Sequence, residues 1–187
     1  MVSLINAYEV TPDDDDAFVA GWERVRDLLA AKGGYQATAL HRALRPDVDL
    51  RFVDVARVDS PDTASPGAEL PYRAHPGVYE VAREDGTPDI QGGVVLINPF
   101  EVPDEDDERF VAGWDRAREA MMRQQGYLGT RLHRSVGPAD FRFVNVARWS
   151  SPLMFARALK RRDFQQAAQS MPFASHPALY QIVRESA

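Results

Sequence analysis

Two side chains near the end of one predicted strand could place hydrogen-bond donors against a ligand oxygen. Asn145 and Trp149 lie in the strand predicted over 141–149. The two-residue period of a strand puts both on one face, together with Phe143. Each carries an N–H donor. Such donors in an apolar pocket suit a reaction in which negative charge develops on an oxygen atom.

Other residues could support this donor face. The opposite face of the strand carries Val144 and Val146, which we expect to pack under helices. Asn98, on an earlier strand, is a candidate third polar group, although an Asn at such a place also commonly bonds a neighbouring turn. His133 is a candidate base or substrate-orienting group, because strict alternation puts it on the same strand face as Tyr127.

These candidates belong to the second of two similar halves of the chain. The shared segments are Ile5-Asn6 and Ile97-Asn98, 18–22 and 110–114, 34–35 and 126–127, 40–42 and 132–134, 52–57 and 143–148, and the strands that begin at His75 and His176. An internal repeat of this kind predicts two copies of one fold. The first copy has Asp54 and Val58 where the second has Asn145 and Trp149, which predicts one working pocket, in the second copy.

The order of elements predicts an α+β fold with two tandem ferredoxin-like βαββαβ repeats. We assign the first repeat to residues 1–84, a linker to 85–93 and the second repeat to 94–187. A full second helix is expected over 152–169, whereas the matching segment 59–67 is short and rich in proline. Each repeat must bury both faces of its sheet. We therefore expect the sheets to pack face to face as a single-chain pseudo-dimeric α/β barrel, with the first sheet forming the wall opposite Asn145.

Composition excludes several classes of function. The 187 residues include 22 Lys and Arg against 28 Asp and Glu, a net charge of −6, which argues against nucleic-acid or anionic membrane partners. The absence of cysteine excludes disulfides and thiolate chemistry. No phosphate loop, dinucleotide fingerprint or metal-ligand spacing is present, and no signal peptide or membrane-spanning run is evident. We expect a cytoplasmic protein without a bound metal.

The repeated segments resemble the antibiotic biosynthesis monooxygenase family of the dimeric α/β barrel superfamily, in a tandem form. The resemblance covers nearly the whole chain twice and is clearest in 97–102, 110–114 and 143–149. In the anthrone oxygenases of this family, an Asn and a Trp four residues later line the pocket, a spacing that Asn145 and Trp149 match. The family's pocket Tyr would fall near Phe155. Haem-degrading relatives carry a His on the helix that corresponds to 152–169, which has none.

This resemblance implies a cofactor-free monooxygenase that oxidises a polycyclic aromatic polyketide, an anthrone or phenol, with molecular oxygen. Catalytic roles would fall to Asn145, Trp149 and Asn98. Substrate-binding roles would fall to Phe143, Phe155, His133 and Tyr127. A polyketide cyclase or aromatase using the same pocket, and a non-catalytic binding protein, remain open. One chain would be a complete pseudo-dimer, and further homodimer formation is compatible with this reading.

Overall fold

The structure, a computed structural model, describes residues 2–31, 33–60, 70–89, 92–169 and 171–186. The first repeat contains β1 (Val2–Glu9), α1 (Asp15–Ala30), β2 (Tyr35–Ala43), β3 (Phe52–Val58) and β4 (Arg73–Gly86). The second contains β5 (Val94–Glu101), α2 (Asp107–Met122), β6 (Tyr127–Ser135), β7 (Phe143–Trp149), α3 (Pro152–Ala158), α4 (Arg162–Gln169), β8 (Ala174–Ser175) and β9 (Ala178–Ser186). The predicted tandem α+β order is confirmed.

The first helix of each repeat forms where the sequence predicts it. Short 3-10 turns at Pro12–Asp14 and Asp104–Asp106 precede α1 and α2. Their acidic residues lie at the positive end of the helix dipole, where negative charge is stabilising. Aromatic residues at helical spacing then enter the core: Phe18 and Trp22 on α1, and Phe110 and Trp114 on α2.

The first compact unit consists of Met1–Val81, Ser135–Asp140 and Tyr180–Ala187. Its strands β1, β2 and β3 pair in antiparallel fashion, with β3 between the other two. The first part of β4 pairs with β1, and the last part of β9 pairs with β2. Helix α1 packs on this sheet through Phe18, which stacks on Phe52 with ring centroids 4.4 Å apart.

The second compact unit consists of Ala82–Arg134 and Phe141–Leu179. Strand β7 lies between β5 and β6, antiparallel to both. Helix α2 packs through Phe110, which stacks on Phe143 at 4.4 Å, as its counterpart does in the first unit. None of the helices in the described part of the chain is both long and apolar enough to cross a membrane.

Three predicted boundaries differ from the structure or fall outside it. The helix predicted over 152–169 is two helices, α3 and α4. Between them the backbone forms a 3-10 turn, in which Lys160 N donates to Arg157 O and Arg161 N donates to Ala158 O. Strand β4 continues to Gly86, into the segment predicted as linker. Residues 61–67 of the predicted proline-rich segment and 90–91 of the linker lie outside the described residues.

Candidate active site

A cavity of about 90 Å³ lies within the second unit, between its sheet and helices α2 and α4. The sheet contributes apolar side chains together with Asn98, Thr130, Asn145 and Trp149. The remaining lining residues are Leu96, Phe100, Trp114, Ala117, Arg118, Met121, Tyr127, Ala147, Phe164 and Met171. The cavity is thus mostly apolar, with a few polar groups on one wall, as ligand sites commonly are.

The helices of the second unit pack on the opposite face of β7 from the one predicted. Helices pack on the face of β7 that carries Phe143 and Trp149, not on the face that carries Val144 and Val146. The prediction that the valines lie under helices is therefore wrong. The lining of this cavity comes entirely from residues 96–171, so the predicted wall from the first-repeat sheet is not part of it.

Trp149 is fixed by the turn and helix around it. Ser150 N donates to Gly126 O at 2.8 Å, and Gly126 has a positive φ of 89° that only glycine adopts readily. A Cβ at Gly126 would lie 2.5 Å from the Met154 Cβ. The indole packs edge-on against Tyr127 at 5.5 Å and Phe155 at 5.3 Å between ring centroids. Three neighbouring elements thus hold its orientation.

The indole N–H of Trp149 has no acceptor among the described residues, although the side chain is only 1% exposed. Buried donors are nearly always paired, and an unpaired one costs about 1–3 kcal/mol. Asn98 Oδ1 is likewise buried and unpaired. The wall of the cavity thus presents an open donor at Trp149, which suits a ligand oxygen, and an open acceptor at Asn98, which suits a ligand hydroxyl.

Thr130 sets the orientation of the Asn145 amide. Its hydroxyl donates to Asn145 Oδ1 at 2.6 Å, and both side chains are buried. The other end of the amide, the Nδ2 donor, is therefore the end left for a ligand. Asn98 stands directly opposite Asn145 on β5. Asn98, Asn145, Trp149 and Tyr127, four of the predicted site residues, are brought together around one cavity.

Thr130→Val should lower turnover by on the order of 10-fold, because the isosteric side chain no longer holds the Asn145 amide in place. Steady-state rates of the folded variant measure this effect, and Thr130→Ser should restore most of the rate. Thr38→Val is the matched control, since Thr38 occupies the equivalent place in the first repeat. Equal losses in turnover for Thr38→Val and Thr130→Val would show that the hydroxyl acts only on stability.

The predicted shared strand face of Tyr127 and His133 is wrong. A β-bulge between Tyr127 and Gly129 shifts the register of β6 by one residue. Tyr127 therefore lines the cavity with Thr130, and His133 does not. His133 is buried, its Nδ1 lies 3.2 Å from Val144 O, and burial lowers its pKa to about 4. It is a neutral residue of the core at physiological pH.

The two predicted ring-packing residues lie outside the cavity lining. Phe143 stacks on Phe110 in the core, and Phe155 packs against the edge of Trp149. Both support the wall from behind rather than facing a ligand. Phe100 of β5 and Phe164 of α4 are the phenyl rings that line the cavity instead.

A charged cluster adjoins the cavity and was not predicted. Tyr127 donates its hydroxyl proton to Asp85 Oδ1 at 2.5 Å, and Arg118 Nη1 donates to Asp85 Oδ2 at 2.8 Å. Arg118 also lies over the Trp114 ring, 5.9 Å from its centroid. Burial, followed by the hydrogen bond to Asp85, raises the pKa of Tyr127 above its usual range, so the phenol stays protonated.

The equivalent place in the first unit holds a closed network around Asp54, which is 6% exposed. Thr38 Oγ1 donates to Asp54 Oδ1 at 2.6 Å. Burial raises the pKa of Asp54 to about 6, and hydrogen bonds from Thr38, Trp22 and Asn6 partly oppose that rise. The polar groups of this repeat therefore bond one another. Asn6, the counterpart of Asn98 in the first repeat, bonds Asp54 rather than a neighbouring turn.

Sequence reasoning missed Thr130, Arg118 and Asp85. Thr130 carried a usable signal, since Thr38 occupies the same place in the first repeat. Arg118 likewise has a counterpart in Arg26, which bonds Asp27 on the surface instead. Asp85 carried no signal, because the segment reads as a linker and its counterpart is Ser186.

The residues do not fit a His-ligated haem group. The lining of the cavity contains no His to bind the iron. Within the described ranges, no group of three or more His, Asp or Glu side chains could hold a metal ion.

Comparison with solved structures shows the fold. An anthrone oxidase-like protein has a TM-score of 0.77 at 13% identity, over 99% of this chain and 92% of the other. A monooxygenase-like protein from Listeria innocua has a TM-score of 0.59 at 14% identity, over 97% and 94%. A haem-degrading enzyme from Listeria monocytogenes has a TM-score of 0.56 at 17% identity, over 97% and 99%. These likenesses confirm the predicted fold class.

Sequence comparison gives the family. No curated protein matches the chain. The family model for antibiotic biosynthesis monooxygenase matches residues 93–170, the span that supplies nearly every side chain around the cavity. The second repeat of the chain therefore carries an antibiotic biosynthesis monooxygenase domain.

Proposed function

We propose that this protein is a cofactor-independent oxygenase that converts an anthrone-like or phenolic aromatic polyketide into a quinone or hydroxylated product. The observation that carries the proposal is the buried, unpaired Nε1–H of Trp149 beside Asn145 in an apolar cavity. A donor that pays the cost of burial without a partner is suited to an oxygen atom that arrives with the substrate. The match of residues 93–170 to the family model supports the monooxygenase class.

The chemistry needs little beyond what these residues supply. A deprotonated, electron-rich ring gives one electron to oxygen, and the two radicals combine at carbon. Loss of water from the resulting peroxide leaves the quinone carbonyl. Overall the substrate loses two hydrogen atoms and gains one oxygen atom, and the second oxygen atom leaves as water. Trp149 and Asn145 stabilise the negative charge on the substrate oxygen, in surroundings from which water is largely excluded.

The size of the cavity constrains how a polycyclic substrate binds. A cavity of about 150 Å³ can hold benzene, whereas this one measures about 90 Å³. The reacting ring must therefore displace part of the lining. Phe164 and Met171 form the side of the cavity away from the sheet, and none of the residues of α4 is buried. We infer that α4 shifts outward when the substrate enters, while the remaining rings stay outside the wall of donors.

The purified protein should be colourless and should contain no flavin, haem or stoichiometric transition metal. The lining of the cavity contains no His, Cys, Asp or Glu, the side chains that most often hold a transition metal. Visible absorption spectra and elemental analysis test this. An absorption band from a tightly bound cofactor, or one equivalent of metal, would overturn the proposed mechanism.

Oxygen uptake with 1,8-dihydroxyanthrone tests the proposed reaction. We expect catalytic uptake above the rate of autoxidation, measured with heat-denatured protein as the blank, and the matching quinone as product. A polyketide cyclase would instead form product from a poly-keto chain without oxygen. A non-catalytic member would bind the anthrone and leave the blank rate unchanged. Either of these results would refute the oxygenase.

A further inference from the structure

We propose that Asp85 and Tyr127 form the proton relay that activates the substrate, with Asp85 as the final base. The inference rests on the proposed function, which requires a deprotonated substrate but does not by itself supply a base. His133 cannot serve, since it lies outside the cavity lining. Asn98, Asn145 and Trp149 have no basic group in the useful range of pH.

The geometry of the relay is already in place. Tyr127 lines the cavity and lies edge-on beside Trp149, with ring centroids 5.5 Å apart. Its hydroxyl proton is committed to Asp85 Oδ1 at 2.5 Å. The lone pairs of the phenol oxygen therefore remain for a proton that arrives from the cavity. The Trp149 donor and the Tyr127 acceptor belong to side chains that line the same cavity.

The proton moves in one concerted step. The C–H bond of the methylene group that is conjugated to the carbonyl breaks, and its electron pair moves to the carbonyl oxygen, held by Trp149 and Asn145. The proton passes to the phenol oxygen of Tyr127 as the proton of Tyr127 passes to Asp85 Oδ1. The products are an enolate and a neutral Asp85 carboxylic acid. Transfer to a carboxylate is uphill, and the donors on the enolate oxygen offset part of that cost.

The charged groups around Asp85 hold it in position. Arg118 on α2 occupies the other carboxylate oxygen and keeps Oδ1 directed at Tyr127. Asp115 on α2 forms two further ion pairs beside Asp85. Its Oδ1 lies 3.5 Å from Arg118 Nε, and its Oδ2 lies 3.5 Å from Arg83 Nε. On β4 itself, Glu84 is paired with Arg131.

The two repeats provide an internal comparison. Tyr35 corresponds to Tyr127 and Arg26 to Arg118, but Ser186 stands where Asp85 would be. Arg26 bonds its neighbour Asp27 on the surface instead. The relay is thus complete only in the unit that also has the open Trp149 donor. A catalytic role requires the relay and the open Trp149 donor in the same unit. A purely structural role for Asp85 would not require the two together.

The relay can be tested without oxygen. In deuterated buffer under anaerobic conditions, the wild-type protein should catalyse exchange of the methylene hydrogens of 1,8-dihydroxyanthrone, followed by proton NMR. Asp85→Asn and Tyr127→Phe should each slow exchange by on the order of 100-fold. Ser186→Ala and Tyr35→Phe, the equivalent positions in the first compact unit, should exchange at the wild-type rate. Circular dichroism checks that each variant is folded.

Each outcome bears on one claim. Exchange by Asp85→Asn and Tyr127→Phe at the wild-type rate overturns the relay, as does oxygen uptake by a wild-type protein that catalyses no anaerobic exchange. Catalysed exchange without aerobic oxygen uptake upholds the relay and refutes the oxygenase. A second readout is the pH profile: the rate of Asp85→Asn should rise with pH and approach wild type once bulk hydroxide ionises the substrate. A deficit that stays constant with pH would mean that Asp85 is only structural.

Discussion

Trp149→Phe should lower turnover by on the order of 100-fold while leaving the fold intact. The substitution removes the Nε1–H of the indole, which is buried and has no acceptor among the described residues. The Trp149 side chain is only 1% exposed. A phenyl ring still packs between Tyr127 and Phe155, which hold the indole from either side. If the donor acts on an oxyanion that forms only in the transition state, its loss falls on kcat rather than on substrate binding.

Val58→Ala is the control for this experiment, because Val58 occupies the place of Trp149 in the first repeat. It should cost some stability, since Val58 is fully buried, but should change turnover per folded molecule little. Comparable losses in Trp149→Phe and Val58→Ala would mean that both repeats hold working pockets. An unchanged rate in Trp149→Phe would mean that the indole is only packing.

Asp54→Asn should stabilise the protein by roughly 1–3 kcal/mol at about pH 8 and should have little effect below about pH 4. Burial raises the folded-state pKa of Asp54 to about 6, above the value of about 3.9 for an unfolded chain. The folded state therefore binds its proton more tightly. Stability from this group is fully present below about pH 4 and is lost as the pH rises through about 6.

Urea unfolding at two pH values measures the effect, provided that the slope with denaturant stays constant. The second repeat shows that Asn fits such a place, because Asn145 accepts a bond from Thr130 at 2.6 Å. Asn145→Asp should show the reverse, a loss of stability that grows with pH. If wild type and Asp54→Asn respond to pH identically, Asp54 does not hold its proton in the folded state.

The two-residue period of a strand was sufficient to predict that Asn145 and Trp149 share a face, because the side chains of β7 alternate regularly between its two faces. Asn145 and Trp149 are separated by an even number of residues, and both line the cavity. Strand β6 does not alternate regularly, so the same reasoning failed there. The bulge at Gly129 moves Tyr127 to the face of Thr130 and takes His133 off it. A glycine inside a strand was the sole local sign of that bulge.

Two other features could not be read from the chain. Nothing in Leu159, Lys160 and Arg161 marks a helix end, yet the helix predicted over 152–169 breaks there. The break separates α4 and lets Phe164 form the outer side of the cavity. Asp85 was hidden for a different reason. Its segment is polar and precedes Gly and Pro, so local composition favours a linker, whereas partners distant in sequence, Tyr127 and Arg118, bind it.

Turnover of 1,8-dihydroxyanthrone under isotopically labelled oxygen gas tests the central claim most directly. The protein should first be treated with chelator and shown to be colourless. We predict that the quinone gains one labelled oxygen atom per molecule, at a rate that the chelator does not change and that Trp149→Phe lowers. Quinone whose new oxygen comes from water, or turnover that requires an added metal or flavin, would contradict a cofactor-independent oxygenase.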